Sequence, residues 1–487
     1  MTRTLVTRTF RSDEDDMTPR NLTNLFFSVI CLACGSFLSA TALRADGLSA
    51  DRIKEVAIPL VDDKILRGVS IGFIDGDQRG SVHLGSVSST EDRRPDNDTV
   101  YEIGSITKVF TGLLLADAVV AGKLQMDDPA SHPRSDRVTV PARGEKPVTW
   151  RHLSTHRSGL PRLATNMSMK DPSNPYADYG AREAAAFLRE FRPSRSPGEQ
   201  QEYSNFGVSL LGYLLSQHAE KSYEALVRDE IGSPLGMDDL TVGLRKDQTS
   251  RAATGHANFE DPTNRWDFAD MPGAGGLNAT IDDMMAFAAA HLDAPEGPLG
   301  EAIELAWRVQ SESGPGQDAM GLGWFVAGDG STRWHNGGTG GFRSMIMINR
   351  ELDAAVVVLS NTADDSVDGL AGVILRMAAG VAPPAARVAD GAASEPDAIA
   401  DAGVRKRLEG RYRINRQFVF TVRDRGGRLM VTLSGQQALQ VFPESPTKWN
   451  YRDVEASLEF ELPAKGPATA LTLFQNGIRQ RAVRIAR

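Results

Sequence analysis

The spacing of apolar positions predicts helices along much of the first 380 residues. Apolar side chains recur with a period of about 3.6 residues, the pattern of a helix that buries one face. One predicted helix begins near Ser105, where Ile106, Phe110, Leu113 and Leu114 lie on one face. The others span residues 48–66, 181–191, 206–219, 222–231, 280–292 and 367–379.

Runs of β-branched and aromatic residues between these helices predict strands. Residues 69–74 and 80–88 form a hairpin around the turn at Asp75-Gly76-Asp77. Four later runs have the same character: 323–326, 332–335, 345–348 and 354–359. The predicted fold class is therefore α+β. One antiparallel sheet combines the hairpin with the strands from 323–360 and is flanked by helices, and an all-helical lobe leaves a cleft against it.

The last hundred residues have a different pattern, which divides the chain into domains. Residues 383–403 are rich in alanine, proline, aspartate and glycine and predict a linker after a domain of residues 46–382. In residues 404–487 short extended runs alternate with turns, which predicts a small all-β domain. Its strands are expected at 418–422, 428–433, 438–442, 458–462, 469–474 and 479–485.

Residues 1–45 are typical of a secretory signal peptide. If the chain starts at Met17, residues 25–33 supply the apolar stretch and Ala40-Thr41-Ala42 a cleavage motif, so we expect cleavage near 42–45. An uncleaved membrane anchor is the alternative. No later apolar run is long enough to span a bilayer. We therefore expect secretion to the periplasm and no integral membrane segment after cleavage.

Charge and cysteine content narrow the function classes. The 487 residues carry 63 acidic and 54 basic side chains, a formal net charge of −9, which disfavours nucleic acid as a partner. Both cysteines, Cys31 and Cys34, lie in the predicted signal peptide, so we expect neither a disulfide nor a cysteine nucleophile in the mature chain. The eight histidines form no ligand cluster, and we expect neither a metal nor a cofactor.

Ser105 and Lys108 stand three residues apart at the start of a predicted helix. This spacing places both side chains on one face of the helix. A serine hydroxyl becomes a nucleophile when a base takes its proton, and a desolvated lysine amine can be that base. The helix N-terminus also offers N–H groups to an oxyanion. Taken alone, the pair favours an N-cap serine beside a solvated lysine. Whether the two residues form a catalytic pair therefore depends on the later motifs.

Two later stretches bring further polar groups together. Tyr203 and Asn205 stand just before a helix, where both can face one cavity. The alternative is an N-cap asparagine beside a packed tyrosine. The glycines of His335-Asn336-Gly337-Gly338 let a strand approach a ligand closely. A phosphate-binding loop is disfavoured there because no helix opens with a Lys-Ser/Thr pair, and a plain glycine-rich turn is the other alternative.

In this order, Ser105-x-x-Lys108, Tyr203-Ser204-Asn205 and His335-Asn336-Gly337 resemble the motifs of the serine β-lactamase and penicillin-binding protein superfamily. The closer match is its class C-like branch, which holds class C β-lactamases, D-Ala-D-Ala carboxypeptidases, D-aminopeptidases and β-lactamase-fold esterases. The resemblance covers roughly residues 50–380 and implies a β-lactamase/transpeptidase-like fold. Residues 404–487 resemble the barrel-like C-terminal β-domain of some relatives.

The resemblance also implies a role for each motif residue. Ser105 is the nucleophile that becomes acylated, and Lys108 with Tyr203 takes its proton and later helps water attack the acyl-enzyme. Asn205 positions Lys108 and a substrate amide. The backbone N–H groups of Ser105 and Gly338 form the oxyanion hole. The remaining substrate-binding residues are His335, Asn336 and Gly337.

These roles predict a serine hydrolase that acts through an acyl-enzyme on β-lactams or D-amino-acid peptides. Two departures lower the expectation of an efficient β-lactamase. His335 stands where many relatives have a lysine, which removes a positive charge that would hold a carboxylate. Thr107 replaces the small residue usual before the catalytic lysine. A carboxylesterase of the same fold is the alternative, and a non-catalytic periplasmic receptor is less favoured because a binder needs no complete Ser–Lys–Tyr set.

Overall fold

The computed structural model describes most of the chain from residue 47 onwards. The described residues are 47–133, 138–141, 143, 146–167, 170–171, 173–314, 318–382, 402–414, 419–425, 427–433, 439–451, 456–475 and 478–485. The expected signal peptide and residues 383–401 of the expected linker lie outside them. Residues 402 and 403 of that linker belong to a helix, Ala402–Leu408. The boundaries of the domains stay a prediction.

One seven-stranded antiparallel sheet forms the centre of the larger domain. Its order is β2-β1-β9-β8-β7-β6-β5, so the hairpin pairs through β1 with the last of the later strands. The hairpin strands are β1 (Gly68–Asp75) and β2 (Gln78–Gly85). The later strands are β5 (Ala319–Met320), β6 (Phe325–Val326), β7 (Thr332–Gly338), β8 (Arg343–Asn349) and β9 (Ala354–Ser360). This arrangement confirms the predicted sheet.

Helices cover both faces of this sheet. Its inner strands β1 and β9 are therefore buried along their whole length. On one face, α1 (Ala50–Asp62) packs against β2, and α10 (Ser366–Ala378) packs against β8 and β9. On the other face, α8 (Ile281–Leu292) packs against β1 and β9. The two apolar layers that result hold the sheet, including its strand β7, in a fixed position.

The remaining helices form a lobe around one almost wholly apolar helix, α2 (Thr107–Val120), whose first ten residues are all buried. A helix that is apolar all round must be surrounded by other elements. Four of its neighbours are α3 (Trp150–Ser154), α5 (Asn205–Ala219), α6 (Tyr223–Val227) and α9 (Pro298–Trp307). α4 (Ala181–Glu190) packs on α5, and a π-turn, Arg228–Gly232, joins α6 to the short α7 (Ser233–Leu235).

Several elements of this domain are absent from the sequence prediction. α9 follows a stretch with Pro295 and with Gly297, a glycine at φ +94°, and it begins at a second proline, so the sequence there is locally typical of a loop. The two-residue strands β3 (Tyr101–Glu102) and β4 (Asn278–Ala279) pair across 176 and 178 positions of the chain. Such short strands carry no periodic pattern, because their pairing depends on contacts that are remote in sequence.

The C-terminal residues form a closed eight-stranded barrel, β10 to β17, in which each strand pairs with its neighbour in sequence and the last pairs with the first. The helix before it is α11 (Ala402–Leu408). Six strands were predicted, and the two four-residue strands, β10 and β14, were not. The strands are Gly410–Arg413, Val419–Arg425, Arg428–Leu433, Leu439–Pro443, Lys448–Tyr451, Ala456–Glu461, Ala470–Gln475 and Ile478–Ile485. The predicted fold class is thereby confirmed.

Candidate active site

The turn that carries Ser105 is held directly against strand β7. Gly104–Ile106 is a single 3₁₀ turn that runs into α2. The Ser344 hydroxyl donates a 2.8 Å hydrogen bond to the carbonyl of Ile103, which ties the residue before the turn to β8. The N–H of Ser105 lies in the first turn of a helix, where backbone donors have no intrahelical acceptor. The structure thus places the serine between a helix N-terminus and the sheet.

Lys108 lies one turn further along α2, with its side chain fully buried. Its Nζ is 3.0 Å from Ser105 Oγ and donates to the carbonyl of Ala274 at 2.6 Å. Burial lowers the pKa of Lys108 well below its usual value, and the charge of Arg162 lowers it further. A neutral amine that donates to a carbonyl keeps its lone pair for the serine proton, so Lys108 meets the geometric and electrostatic requirements of a general base.

The Ala274 carbonyl comes from a glycine-rich segment that packs on α2. The Thr111 hydroxyl donates to the carbonyl of Gly273 at 2.6 Å, and the Thr107 hydroxyl accepts the N–H of Leu277 at 3.1 Å. Both threonines are buried. Thr107, a departure from the family pattern, therefore anchors the segment that supplies the second partner of Lys108. The sequence gives no sign of this contact, because a backbone carbonyl has no residue-type signal.

Tyr203 closes the other side of Ser105. Against the larger effect of burial, Ser105 lowers the pKa of the Tyr203 phenol, and the ring centroid of Tyr203 lies 4.9 Å from the Nζ of Lys108. Burial raises the pKa of Tyr203 to about 12, so the phenol keeps its proton at neutral pH. The structure thus places Ser105 and Tyr203, which are predicted to act with Lys108, on the Nζ side of that lysine. In this arrangement Lys108 is the better proton acceptor and Tyr203 the better proton donor.

The residues after Tyr203 fix the entry to α5. Ser204 Oγ accepts the N–H of Gly207 at 2.8 Å as an N-cap and donates to the carbonyl of Pro161 at 2.7 Å. Asn205 donates from Nδ2 to the Tyr176 hydroxyl at 3.3 Å, and its buried Oδ1 has no hydrogen-bond partner among the described residues. No hydrogen bond joins Asn205 to Lys108 in that part of the chain. Its side chain therefore offers an acceptor to a ligand.

His335 lies on β7, fully buried, and faces the same site. Its ring lies 6.3 Å from that of Tyr203 and 5.3 Å from that of Phe325. Nδ1 donates to the carbonyl of Asn336 at 2.6 Å, which leaves the Nε2 lone pair without a partner among the described residues. Burial, followed by the charge of Lys108, lowers the pKa of His335 to about 3. The ring is thus neutral and contributes an acceptor, not a cation.

Asn336 faces the opposite side of β7, as strand alternation requires. Its Nδ2 donates to Asp368 on α10 at 2.7 Å, and Arg343 binds the same carboxylate. The Asn336 side chain is therefore not brought together with Ser105. Gly337 and Gly338 instead lie against the serine turn, since a Cβ atom on Gly337 would be 2.0 Å from the carbonyl oxygen of Ile103.

His156 is a buried residue of this site that sequence reasoning did not assign. Its ring lies 4.4 Å from the Tyr203 ring, and its Nδ1 accepts the N–H of Ser204 at 3.2 Å. Burial, with the neighbouring Lys108 charge, lowers the pKa of His156 well below its usual value. Its backbone has φ +60°. The histidine therefore packs against one side of the Tyr203 ring as a neutral ring.

A second serine–histidine pair lies elsewhere in the sheet. Ser70 Oγ is 2.9 Å from His83 Nδ1 and 2.9 Å from the Tyr101 hydroxyl, within the sequence Gly68-Val69-Ser70-Ile71-Gly72. Ser70 is fully buried in the middle of β1. A nucleophile of the Gly-x-Ser-x-Gly type stands on an exposed strand-to-helix turn, so this pair is a structural network and not an active site.

The described residues contain no group of three or more His, Cys, Asp or Glu side chains arranged to hold a metal ion. Within the same residues, no helix combines the length and the hydrophobicity that crossing a bilayer requires. The site described above is built from ordinary side chains and backbone groups.

Known proteins share this sequence pattern and fold. The chain is 28% identical over 357 residues to the D-alanyl-D-alanine-carboxypeptidase/endopeptidase AmpH of Escherichia coli (strain K12), covering 69% of this chain and 91% of that protein. A crystal structure of a beta-lactamase/D-alanine carboxypeptidase from Yersinia pestis, complexed with citrate, superposes with a TM-score of 0.58 at 23% identity, covering 68% of this chain and 98% of that one. A class C beta-lactamase superposes with a TM-score of 0.59 at 20% identity, covering 67% and 95%.

The resemblance inferred from the three motifs is thus confirmed at the level of sequence family and of fold. The family model described as Beta-lactamase matches residues 53–379, which include all three motifs and the whole seven-stranded sheet. That match covers more than half of the chain, and the protein belongs to the beta-lactamase family.

Proposed function

We propose that this protein is a serine hydrolase that forms an acyl-enzyme on Ser105 and acts on β-lactams or D-amino-acid peptides. The observation that carries the proposal is the 3.0 Å contact between Ser105 Oγ and the Nζ of Lys108. The amine is buried and its pKa is well below the usual value. A lysine in that state accepts a proton near neutral pH, as an activated serine nucleophile requires.

Acylation begins when Ser105 Oγ forms a bond to the substrate carbonyl carbon and passes its proton to Lys108. The carbonyl oxygen becomes an oxyanion near the N–H groups of Ser105 and Gly338, each worth about a hundredfold or more in rate. When the scissile bond breaks, Tyr203 gives its proton to the leaving nitrogen or oxygen. Lys108 then returns the serine proton to Tyr203, so the charges balance at the end of the step.

Deacylation repeats the chemistry with water as the nucleophile. Lys108 takes a proton from water as its oxygen attacks the ester carbon of the acyl-enzyme, and the Lys108 ammonium then supplies the proton that Ser105 needs when it leaves. Ser105 Oγ leaves and recovers a proton, which releases an acid and restores the starting state. The unpartnered Oδ1 of Asn205 suits a substrate amide N–H beside this centre.

One observation favours a second candidate, a carboxylesterase of the same fold. His335 is neutral, with a pKa near 3, so the third motif has no cation with which to bind a carboxylate. A small neutral ester needs none. The relatives include a carboxypeptidase/endopeptidase and a beta-lactamase by name, which supports the first candidate.

We also propose that the mature chain is exported to the periplasm, where peptidoglycan peptides and β-lactams are found. The support is the expected signal peptide at residues 1–45. Fractionation of the producing cells, with mass determination of the mature N-terminus, tests this part. A periplasmic chain that begins between residues 42 and 46 supports it, and a cytoplasmic chain that retains its first residues contradicts it.

Turnover by the mature chain and by Ser105→Ala tests the enzyme proposal. The panel consists of a penicillin, a D-Ala-D-Ala peptide and a p-nitrophenyl ester. We expect measurable hydrolysis of at least one, and a loss of at least a thousandfold in Ser105→Ala. The Ser70→Ala variant, which removes the buried serine of the second pair, is the matched control and should keep its turnover. Hydrolysis that survives Ser105→Ala contradicts the proposal.

A further inference from the structure

One guanidinium at the mouth of the cleft has no assigned role. Arg162 is exposed, and its guanidinium carbon lies 5.1 Å from the ring centroid of Tyr203. Among the described residues, no carboxylate forms an ion pair with it and its guanidinium makes no hydrogen bond. By contrast, the neighbouring Arg195 is paired with Glu202. An arginine without an acidic partner beside a catalytic tyrosine is available to a ligand.

The turn that bears Arg162 is held in place by the second motif. The carbonyl of Arg162 accepts the N–H of Phe206 at 3.1 Å, and the carbonyl of Pro161 accepts the Ser204 hydroxyl at 2.7 Å. The backbone at 161–162 is therefore fixed to the residues on either side of Asn205. Only the side chain of Arg162 has to be ordered when a ligand binds, which keeps the entropic cost small.

Other cations of the site are not free to bind an anion. Arg343 is occupied by Asp365 and Asp368 on the far side of the strand. Lys108 is buried between Ser105 and the Ala274 carbonyl. The position at the start of the third motif is a histidine without charge. A substrate carboxylate that enters the cleft therefore meets Arg162 as its free positive partner.

We propose that Arg162 binds a carboxylate of the substrate and so supplies, from the helical lobe, the charge that the third motif lacks. The inference rests on the proposed function and deepens it by naming the substrate class: carboxylate-bearing substrates are preferred over their neutral counterparts. Arg162 is then a specificity-determining residue and takes no part in the proton transfers. The planar guanidinium suits a carboxylate through two parallel hydrogen bonds.

Electrostatics in the cleft agree with this placement. The charge of Arg162 lowers the pKa of Lys108 and of His156, and it lowers that of Tyr203 against the larger effect of burial. These groups belong to three different segments that meet at Ser105. A cation that acts on all of them lies close enough to the reacting centre to hold a group attached near the scissile bond.

The test compares substrate pairs that differ by one carboxylate. A D-Ala-D-Ala peptide and its C-terminal amide place the charge on the leaving group. The p-nitrophenyl esters of succinate and butyrate place it on the acyl group. For the mature chain and for Arg162→Gln, the ratio of kcat/KM for the charged substrate to that for the neutral one is measured in each pair. We expect Arg162→Gln to lower at least one ratio about ten- to a hundredfold. Arg162→Lys, which keeps the charge but loses the two parallel hydrogen bonds, should lower it less.

Arg481→Gln is the matched control, because it removes the same charge from an exposed pair on the barrel and should leave both ratios as in the parent. If the kcat/KM ratio of the peptide pair falls in Arg162→Gln, the bound carboxylate belongs to the leaving group. If the ratio of the ester pair falls, the carboxylate belongs to the acyl group. If neither ratio falls in Arg162→Gln while Ser105→Ala abolishes turnover, the inference is wrong and the proposed function stands.

Salt dependence gives a measurement that needs no variant. Because Arg162 is exposed, its attraction for a carboxylate is screened as ionic strength rises. For the parent chain, the ratio of kcat/KM for the charged substrate to that for the neutral one should therefore decrease as salt rises from about 0.05 M to 0.5 M. A ratio that is independent of salt contradicts the inference even where Arg162→Gln does not fold.

Discussion

A Cβ atom on Gly104 would lie only 2.6 Å from the backbone nitrogen of Gly338. The two glycines belong to the serine turn and to the end of β7, so their contact sets the distance between Ser105 and the strand expected to complete the oxyanion hole. Gly104 also has φ +50°, where side chains other than glycine are strained. The residue before Ser105 is therefore restricted both by its neighbour and by its own backbone.

Gly104→Ala should damage both stability and catalysis. The left-handed backbone costs about 1 kcal/mol for alanine, and the contact with Gly338 forces the turn and the strand apart. We expect the free energy of unfolding to fall by more than that amount and kcat to fall on the order of a hundredfold. Denaturant titration and steady-state kinetics measure the two effects.

Gly122→Ala is the matched control, because Gly122 has φ +68° and no atoms near the position of a Cβ. It should lose about 1 kcal/mol of stability and keep its kcat. Equal kcat values for the two variants would show that the Gly104–Gly338 contact does not position the site.

Asn205 and Asn336 should respond differently to alanine, although both belong to the sequence motifs. Asn205 presents its unpartnered Oδ1 at the site, so its removal should lower kcat/KM for an amide substrate about tenfold. Asn336 binds Asp368 on the far face, so its removal should cost about 1–2 kcal/mol of stability and little kcat/KM. Denaturant titration and steady-state kinetics on both variants test this difference. A larger loss of kcat/KM in Asn336→Ala than in Asn205→Ala would contradict the assignment of the two side chains to opposite faces.

The pH dependence of kcat/KM should report the protonation of Lys108. A general base must be unprotonated, so activity falls as pH drops through the lowered pKa of Lys108. Because the charge of Arg162 contributes to that lowering, Arg162→Gln raises the pKa and moves the acid limb to higher pH. The expected movement is less than about one pH unit, since the guanidinium is exposed. A limb that moves to lower pH contradicts this electrostatic account.

The buried His335 should make the fold sensitive to acid. Its pKa is near 3 in the folded chain and near 6.5 when exposed, so the unfolded state binds the extra proton between these values. Stability is fully present above pH 6.5 and is lost as pH falls toward 3, by up to about 1.4 kcal/mol per pH unit for this group. His335→Gln should lose stability less steeply over that range.

Denaturant titrations from pH 7 to pH 4 measure that slope. His218→Gln, which removes an exposed histidine of α5, controls for the change of residue type. If His335→Gln and the parent chain lose stability with the same slope, then the His335 ring is not held neutral by burial.

The sequence predicted what depends on local pattern. The helical period placed α2 and α5, the extended runs placed the sheet strands, and the order of motifs brought Ser105, Lys108 and Tyr203 together. The sequence did not predict the features that depend on tertiary contacts between residues remote in the chain. The carbonyl of Ala274 reaches Lys108 across 166 positions, and a backbone group has no residue signature.

Strand phase explains another difference. The motif His335-Asn336-Gly337 suggested that all its side chains serve one site, whereas β7 turns His335 to the cleft and Asn336 to α10. The sequence also did not predict a role for Arg162. A single arginine carries no motif, and only the fold places its guanidinium over the Tyr203 ring.

The central claim is an acyl-enzyme on Ser105, and intact mass spectrometry of the mature chain with a penicillin tests it most directly. We expect an adduct equal to the mass of the drug, mapped to the peptide that contains Ser105 and absent from Ser105→Ala. Rapid quenching captures a short-lived adduct, and the same experiment with a p-nitrophenyl ester covers the esterase alternative. An adduct on another residue, or hydrolysis by Ser105→Ala at the parent rate, would contradict the account.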